Sequence, residues 1–530
     1  MALEGRRRVV IEDVRPRVAG GDFPVKRAVG DPVVVEFDAF ADGHDRLACS
    51  VLHRHACETA WREVSAEHVG NDRWRATFTV DQPGEHRFTV EGRVDAFGSW
   101  LAELEKRLDA GQDIAVELLV GADHVSAAAR RARGSDAVAL RAAVSRLREV
   151  DPRAAFDPDL ALLMRRHAPR RIATRGPELR VWADRERGAR SAWYKVFPRS
   201  VFDPASTLSH GTLRDIARAV VPHAAALGFD ILYLLPIHPI GRTGRKGRDN
   251  TLTSAPGDPG SPYAIGSAEG GHTAIAPELG TLDDLHHLIA TCREHGLELA
   301  LDIAFQCSPD HPWVAEHPEW FRRRPDGTIR YAENPPKKYQ DIYPLDLSCD
   351  AWRPLWEALR DVFLYWAEQG VRAFRVDNPH TKPFAFWDWC LVEVRGRFPD
   401  AIFLAEAFTR PKVMHRLAKA GFTQSYTYFT WRTTKRELEE YLTELTATDS
   451  VEHFRPKSGA WVSDVAALVA PLRSTGWSAD DVTPYFKRGK SSVRHAGILR
   501  QPARVSAKHG RTAVDARGMV SPQTILHPGV

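Results

Sequence analysis

Apolar and polar positions alternate in short runs between about Arg8 and Glu91, as in VVIEDV, PVVVEFDAF, RWRATFTV and HRFTVEG. Gly, Asp and Pro separate the runs, which predicts an antiparallel β-sandwich. From about Trp100 to His167 the period changes to that of amphipathic helices, as in WLAELEKRLDAG and AVALRAAVSRLREV. This stretch reads as a helical insertion that either packs on its own domain or forms a dimer interface. After ELRVWAD the pattern shifts once more near Ala192, to apolar strands alternating with helices. WYKVF, FDILYLLPI, LELALDIA, VRAFRVD, AIFLAEAF and TQSYTYF are the strands of six successive units, and continuous apolar strands with polar ends point to a (β/α) barrel.

The predicted fold class is therefore multidomain: a (β/α)8-type barrel, incomplete at its C-terminal end, preceded by an all-β sandwich with a helical insertion. The expected boundaries are residues 1–98 for the sandwich, 99–175 for the insertion and 176–191 for the sandwich's return strand. The barrel follows over 192–456, with a long loop subdomain at about 305–345, and 457–530 form an atypical tail.

Composition narrows the function classes. A hydrophobic fraction of 43% and a charged fraction of 27% over 530 residues are ordinary for a globular protein. A net charge of +4 gives no case for nucleic acid, which requires a clustered basic face. No stretch approaches the roughly 18 consecutive apolar residues of a membrane span, and the N-terminal basic residues have no apolar run behind them. A cytoplasmic location is expected. The six cysteines lack zinc-like or redox-like spacing, so free thiols and no metal site are expected.

In a parallel barrel, chemistry sits at the strand C-termini. Asp377 closes VRAFRVD and Glu406 lies in AIFLAEAF, one step further round. Retaining glycoside chemistry needs two carboxyl groups about 5 Å apart, one as nucleophile and one as acid/base. Each acid alone is more often just a polar strand end. Their settings differ, however. Arg375, two residues before Asp377, points to the same side and favours its ionised form. Glu406 is flanked by Leu404, Ala405, Ala407 and Phe408, which favour the protonated form.

Asp302 ends a third strand, with a role in chemistry or in organising the mouth equally open. The long segment after it, through HPEWFRRRPDGTIRYAENPPKKYQDIYPLD, has no helical pattern and is rich in aromatic and basic residues. It carries Asn334, Lys337, Lys338 and Tyr339, donors suited to an anionic ligand such as a sugar phosphate, although a lysine pair on a loop is commonly just solvated. The loop after FDILYLLPI brings Lys246, Asn250 and Tyr263 to the same face. Its GRTGRKG stretch lacks the spacing and following helix of a P-loop and is a weak phosphate signal.

The barrel segment resembles the α-amylase superfamily, through Asp377 in GVRAFRVDN and Glu406 in FLAEAF. More narrowly, SAWYKVFPRS, ILYLLPIHPIG, RKGRDN, GSPYAIGS, AFQCSPDHPW, NPPKKYQDIYPLD and RVDNPHTKPF resemble the bacterial α-1,4-glucan:maltose-1-phosphate maltosyltransferases, over about residues 8–456. The resemblance implies transfer of maltosyl units from α-maltose 1-phosphate to α-1,4-glucan, with Asp377 as nucleophile, Glu406 as acid/base and Arg375 supporting Asp377. It also implies that Asn334, Lys337, Tyr339 and Asn378 bind phosphate, that Lys246 and Gln306 hold the donor sugar, and that Tyr263 lies beneath the reacting ring. Gln306 and Cys307 stand where many amylases have an Asn-His pair. No cofactor or calcium site is implied, and a homodimer is expected.

The likeness ends after VEHFRP. Such enzymes continue through a seventh strand with a third catalytic aspartate, but KSGAWVSDVAALVAPLRSTGWSADDV has no such strand. Asp464, Asp480, Asp481 and Asp515 end no apolar run and take no assigned role. The Arg-, Ala- and Ser-rich tail reads as disorder or as out-of-frame translation. Loss of the third carboxylate is expected to slow transfer by several orders of magnitude. The competing readings are an α-glucan hydrolase of the amylase type and a catalytically dead glucan-binding or dimerising remnant.

Overall fold

The computed structural model describes residues 5–170, 172–201, 210–248 and 251–457. The tail with Asp464, Asp480, Asp481 and Asp515 lies outside the described residues, as does Asn250. The chain divides into two compact units, and the second is described only over Phe429–Thr446, where a helix (Lys435–Ala447) buries Leu438, Tyr441 and Leu442.

In the first unit the N-terminal residues form two sheets. One orders Val9–Arg15, Pro32–Ala41, Arg73–Thr79 and Glu67–Gly70; the other orders Val25–Ala28, Leu179–Asp184, Gly84–Val94, Leu47–His55 and Arg62–Ser65. Alternation along Pro32–Ala41 places Val33, Val35, Phe37 and Ala39 in the core between the sheets, against Val51, Phe78, Phe88 and Val90. Where an antiparallel sandwich was expected, Val25–Ala28 instead pairs in parallel with Leu179–Asp184. Those two strands come from distant parts of the chain, so no hairpin constrains their relative direction.

Four helices, α1 (Ala96–Asp109), α2 (Ala115–Ala129), α3 (Gly134–Arg148) and α4 (Pro158–His167), intervene between Gly84–Val94 and its partner Leu179–Asp184. They have a core of their own built on Trp100, Leu118, Val125, Leu140 and Met164. The Trp100 ring lies close against Gly121, and its indole N–H donates to the Glu117 carbonyl at 2.8 Å.

Beyond the sandwich lies a parallel sheet of seven strands in chain order: β1 (Trp193–Val196), β2 (Ile231–Leu234), β3 (Glu298–Ile303), β4 (Ala373–Asp377), β5 (Ile402–Glu406), β6 (Gln424–Tyr426) and β7 (Pro456–Lys457). Strands β2, β4, β5 and β6 are buried throughout, as parallel strands covered by helices must be. The helices include α5 (Leu282–Glu294), α6 (Trp352–Glu368), α7 (Phe384–Arg397) and α8 (Pro411–Ala420). Six strands were expected; β7 is a seventh, in register with Ser425 and Tyr426 of β6. Among the described residues β1 and β7 are not paired with each other, so the sheet is a partial barrel.

The segment after β3 also departs from the expectation of no helix. Pro312–Glu316 forms a short one, because Pro312 suits a first helical position and the His311 ring accepts the Trp313 N–H at 3.0 Å. No helix among the described residues is long and apolar enough to cross a membrane.

Gly121→Ala tests the helical module. An added Cβ falls 2.0 Å from Trp100 Cζ2, a clash the buried indole cannot escape. We expect a loss of about 1–3 kcal/mol, read as a lower urea midpoint of the helical signal. An unchanged midpoint contradicts the packing described.

Candidate active site

Strand register builds the site. In the pairing of β3 with β4, Asp302 lies opposite Arg375; in that of β4 with β5, Asp377 lies opposite Glu406. Because side chains alternate along a strand, Arg375 and Asp377 share a face. Arg375 is 2% exposed and joins all three acids: its Nη1 donates to Asp302 Oδ1 at 2.8 Å and to Asp377 Oδ1 at 2.7 Å, and its Nη2 lies 2.5 Å from Glu406 Oε1. Asp302 receives two more bonds on its other oxygen, from the Tyr233 hydroxyl at 2.5 Å and the Tyr263 hydroxyl at 3.0 Å.

The two facing acids are held in opposite states. Burial raises the Asp377 carboxyl, but the Arg375 charge and hydrogen bonds from Glu406 and Arg375 outweigh it, so Asp377 sits below the ordinary range. Burial likewise raises Glu406, and there the charge of Asp377 and their shared hydrogen bond add to it against the pull of Arg375. The result is about 8. Asp302 is raised as well, by burial first. The Asp377 and Glu406 carboxyls are in hydrogen-bond contact, closer than the about 5–5.5 Å of a retaining pair around its substrate.

The other expected residues fall into two groups. Asn378, in a left-handed conformation at φ 42°, donates its amide to Asp377 Oδ2 at 3.2 Å. Gln306 donates to the Tyr263 carbonyl at 3.0 Å. Asn334, Lys337 and Tyr339 share one small hairpin (Ala332–Asn334 with Lys337–Tyr339), in which Asn334 lies opposite Lys337. Buried Lys246 reaches the hairpin's Lys338 carbonyl at 3.5 Å, and Tyr339 packs with Tyr263 around Ile240 and Ile342. The hairpin is thus tied through Tyr263 to Asp302.

A profile described as α-1,4-glucan:maltose-1-phosphate maltosyltransferase, domain N/S, matches residues 7–185. A protein of that name from Chlorobaculum tepidum is 51% identical over 459 residues, spanning 86% of this chain and 68% of the relative. The chain belongs to the α-1,4-glucan:maltose-1-phosphate maltosyltransferase family. Another protein with that name, from Methylacidiphilum infernorum, is 44% identical over 88% of this chain and 70% of its own length. Among solved structures, an α-amylase from Lactobacillus plantarum is similar at 31% identity with a TM-score of 0.40, over 49% of this chain and 60% of that one.

Several groups in this maltosyltransferase-family site carry no signal that periodicity or strand-end position could reveal. Tyr233 lies inside an apolar strand and reads as core. Lys382, half-buried five residues after Asp377, is lowered to about 8 by burial against the pull of Asp377. Lys195 in β1 is lowered by burial and then by Arg375. The Tyr426 hydroxyl bonds Arg375 from β6.

Beside the site, His272, Cys307 and His311 converge with ligand atoms within 4.8 Å of one another. The tautomers do not fit a metal. His311 Nδ1 accepts the Trp313 N–H, so its Nε2 carries the proton and donates to His272 Nδ1 at 3.0 Å. His272 Nε2 then donates to the Ala304 carbonyl at 3.0 Å. Both imidazoles are buried and depressed, His311 to about 3, and no ring lone pair is left for a cation.

The shift at Glu406 has a signed consequence for stability. Its folded value of about 8 lies above the ordinary 4.5, so the folded chain keeps a proton that the unfolded chain gives up between those values. The protonated carboxyl's contribution is therefore fully present below the ordinary value and is lost as pH rises to about 8. Glu406→Gln removes that dependence. Its melting temperature relative to the parent is expected to be higher at pH 8 than at pH 5, and a pH-independent difference contradicts the assignment.

Proposed function

We propose that this chain transfers maltosyl units from α-maltose 1-phosphate to the non-reducing end of α-1,4-glucans by double displacement with retention. The observation that carries the proposal is the single guanidinium holding two facing carboxyls in opposite protonation states, in a chain of this family. Ionised Asp377 attacks the anomeric carbon as the bond to the phosphate oxygen breaks, and phosphate leaves with the electron pair. The Glu406 proton passes to that phosphate. A β-maltosyl ester of Asp377 remains.

Formation of the ester changes Glu406. Two of the influences raising it, the Asp377 charge and the bond to Asp377, vanish, while the attraction of Arg375 persists. Glu406 then rests as a carboxylate able to accept the proton of the acceptor's 4-hydroxyl as that oxygen attacks, which restores the α configuration. In this proposal Asn334, Lys337, Tyr339 and Asn378 take the phosphate, Lys246 and Gln306 the donor sugar, and Tyr263 its lower face. Lys382 adds a positive charge beside Asp377.

A cytoplasmic setting and a homodimer belong to the same proposal. All six cysteines are unpaired, which suits a reducing compartment. Helix α2 turns Val116, Leu119 and Val120 outward, an apolar face that suits a second copy.

Incubation with α-maltose 1-phosphate and maltotetraose tests the reaction. We expect phosphate release and an acceptor lengthened by one maltosyl unit, with Asp377→Asn slower by about 10⁴-fold or more. Phosphate is a good enough leaving group to depart without the Glu406 proton, so Glu406→Gln is expected to release phosphate once and, lacking the base for the acceptor hydroxyl, to accumulate the maltosyl ester, visible in the intact mass. Reducing sugar from glucan without any phosphate donor establishes a hydrolase instead.

A further inference from the structure

The barrel carries an aromatic patch outside the site just described. Trp352 and Trp356 lie four residues apart on one face of α6, with ring centroids 4.8 Å apart. Trp389 of α7 follows, 5.9 Å from Trp356, and Val392, three residues on along the same helix, is 67% exposed. Trp352 is 41% exposed, an unusual state for an indole. Charged groups interleave the rings: Arg353 lies 5.0 Å over Trp389 and donates to Glu357 at 3.0 Å.

The topology sets this patch on the catalytic side. Helix α6 starts where the long segment after β3 ends, and α7 starts seven residues after Asp377, so both N-terminal turns lie at the C-terminal edge of the sheet. The link to the nucleophile's turn is direct. The Trp387 indole donates to the Pro379 carbonyl at 2.9 Å, and neighbouring Phe386 packs on Trp356 at 5.4 Å.

We propose that Trp352, with Arg353, Glu357 and Trp389, forms a surface site for the body of an α-glucan chain whose non-reducing end reacts at Asp377. Flat indoles match the C–H faces of pyranose rings, while a guanidinium and a carboxylate side by side match vicinal hydroxyls as donor and acceptor. A polymer that reacts only at its tip leaves most of its length outside the cleft. This patch, on helices whose N-terminal turns lie at the C-terminal edge of the sheet, offers such a chain both kinds of contact. The inference rests on the proposed function for the identity of the polymer.

The full chain and Trp352→Ala are compared in two ways, by transfer kinetics with glycogen or maltotetraose as acceptor and by retardation in glycogen-containing native gels. We expect the KM for glycogen to rise about tenfold, equivalent to about 1.4 kcal/mol, and retardation to weaken. The kcat and the KM for maltotetraose stay as in the parent. Arg353→Ala, which keeps every ring, is expected to shift the same two readouts in the same direction. Equal glycogen KM and equal retardation in parent and variants overturn the site, as does a parent that glycogen does not retard. A change in sedimentation of Trp352→Ala overturns it too, by assigning the patch to contact between copies. If the parent transfers nothing yet is retarded, and the variants are not, the glucan site stands while the proposed reaction falls.

Discussion

Arg375 is the constraint from which the site's chemistry follows. Its guanidinium is buried among Asp302, Asp377 and Glu406 and bonds or pairs with each of them. Three ionised carboxylates around one cation leave surplus negative charge in a place that solvates charge poorly, so the arrangement favours retention of a proton. Contacts decide where that proton goes. Asp377 takes an Arg375 bond, the Asn378 amide and the Glu406 hydroxyl and stays ionised, while Glu406 faces the charge so created and keeps its proton. In the proposed reaction, nucleophile and acid are thus consequences of one another, and consumption of the first by ester formation would convert the second into a base.

Backbone register delivers this arrangement without long side-chain excursions. Asp302 opposite Arg375, and Asp377 opposite Glu406, follow from parallel pairing of adjacent strands. The loops add what strands cannot: a cation-bearing hairpin, a half-buried lysine beside Asp377, and Tyr263, whose hydroxyl anchors it to Asp302 and which packs on the same Ile240 and Ile342 cluster as the hairpin's Tyr339. Tyr233 fixes the same Asp302 oxygen from β2, so the aromatic floor and the guanidinium share one support.

Strand ends were legible in the sequence because an acid closing an apolar run is a local pattern. Asp377, Arg375 and Glu406 could be named from VRAFRVD and AIFLAEAF alone, and the opposed settings of the two acids could be anticipated from their neighbours. The apolar flank of Glu406 was only part of the cause, since the Asp377 charge also raises it, and that contact depends on register. Tyr233 and Lys195 were hidden because a polar atom inside an apolar strand looks like core until its partner across the sheet is known. The parallel edge strand Val25–Ala28, the Pro312–Glu316 helix and β7 were missed for a similar reason. Each is short and is defined by a partner or a cap rather than by its own periodicity.

The claim that charge around Arg375 divides the two carboxyls is tested most directly by ¹³C NMR titration of the full chain labelled at glutamate side-chain carboxyls, with Glu406→Gln to assign the resonance. One glutamate is expected to remain protonated at neutral pH, titrating near 8 and missing from the variant. A Glu406 resonance that titrates within the ordinary carboxylate range contradicts that claim.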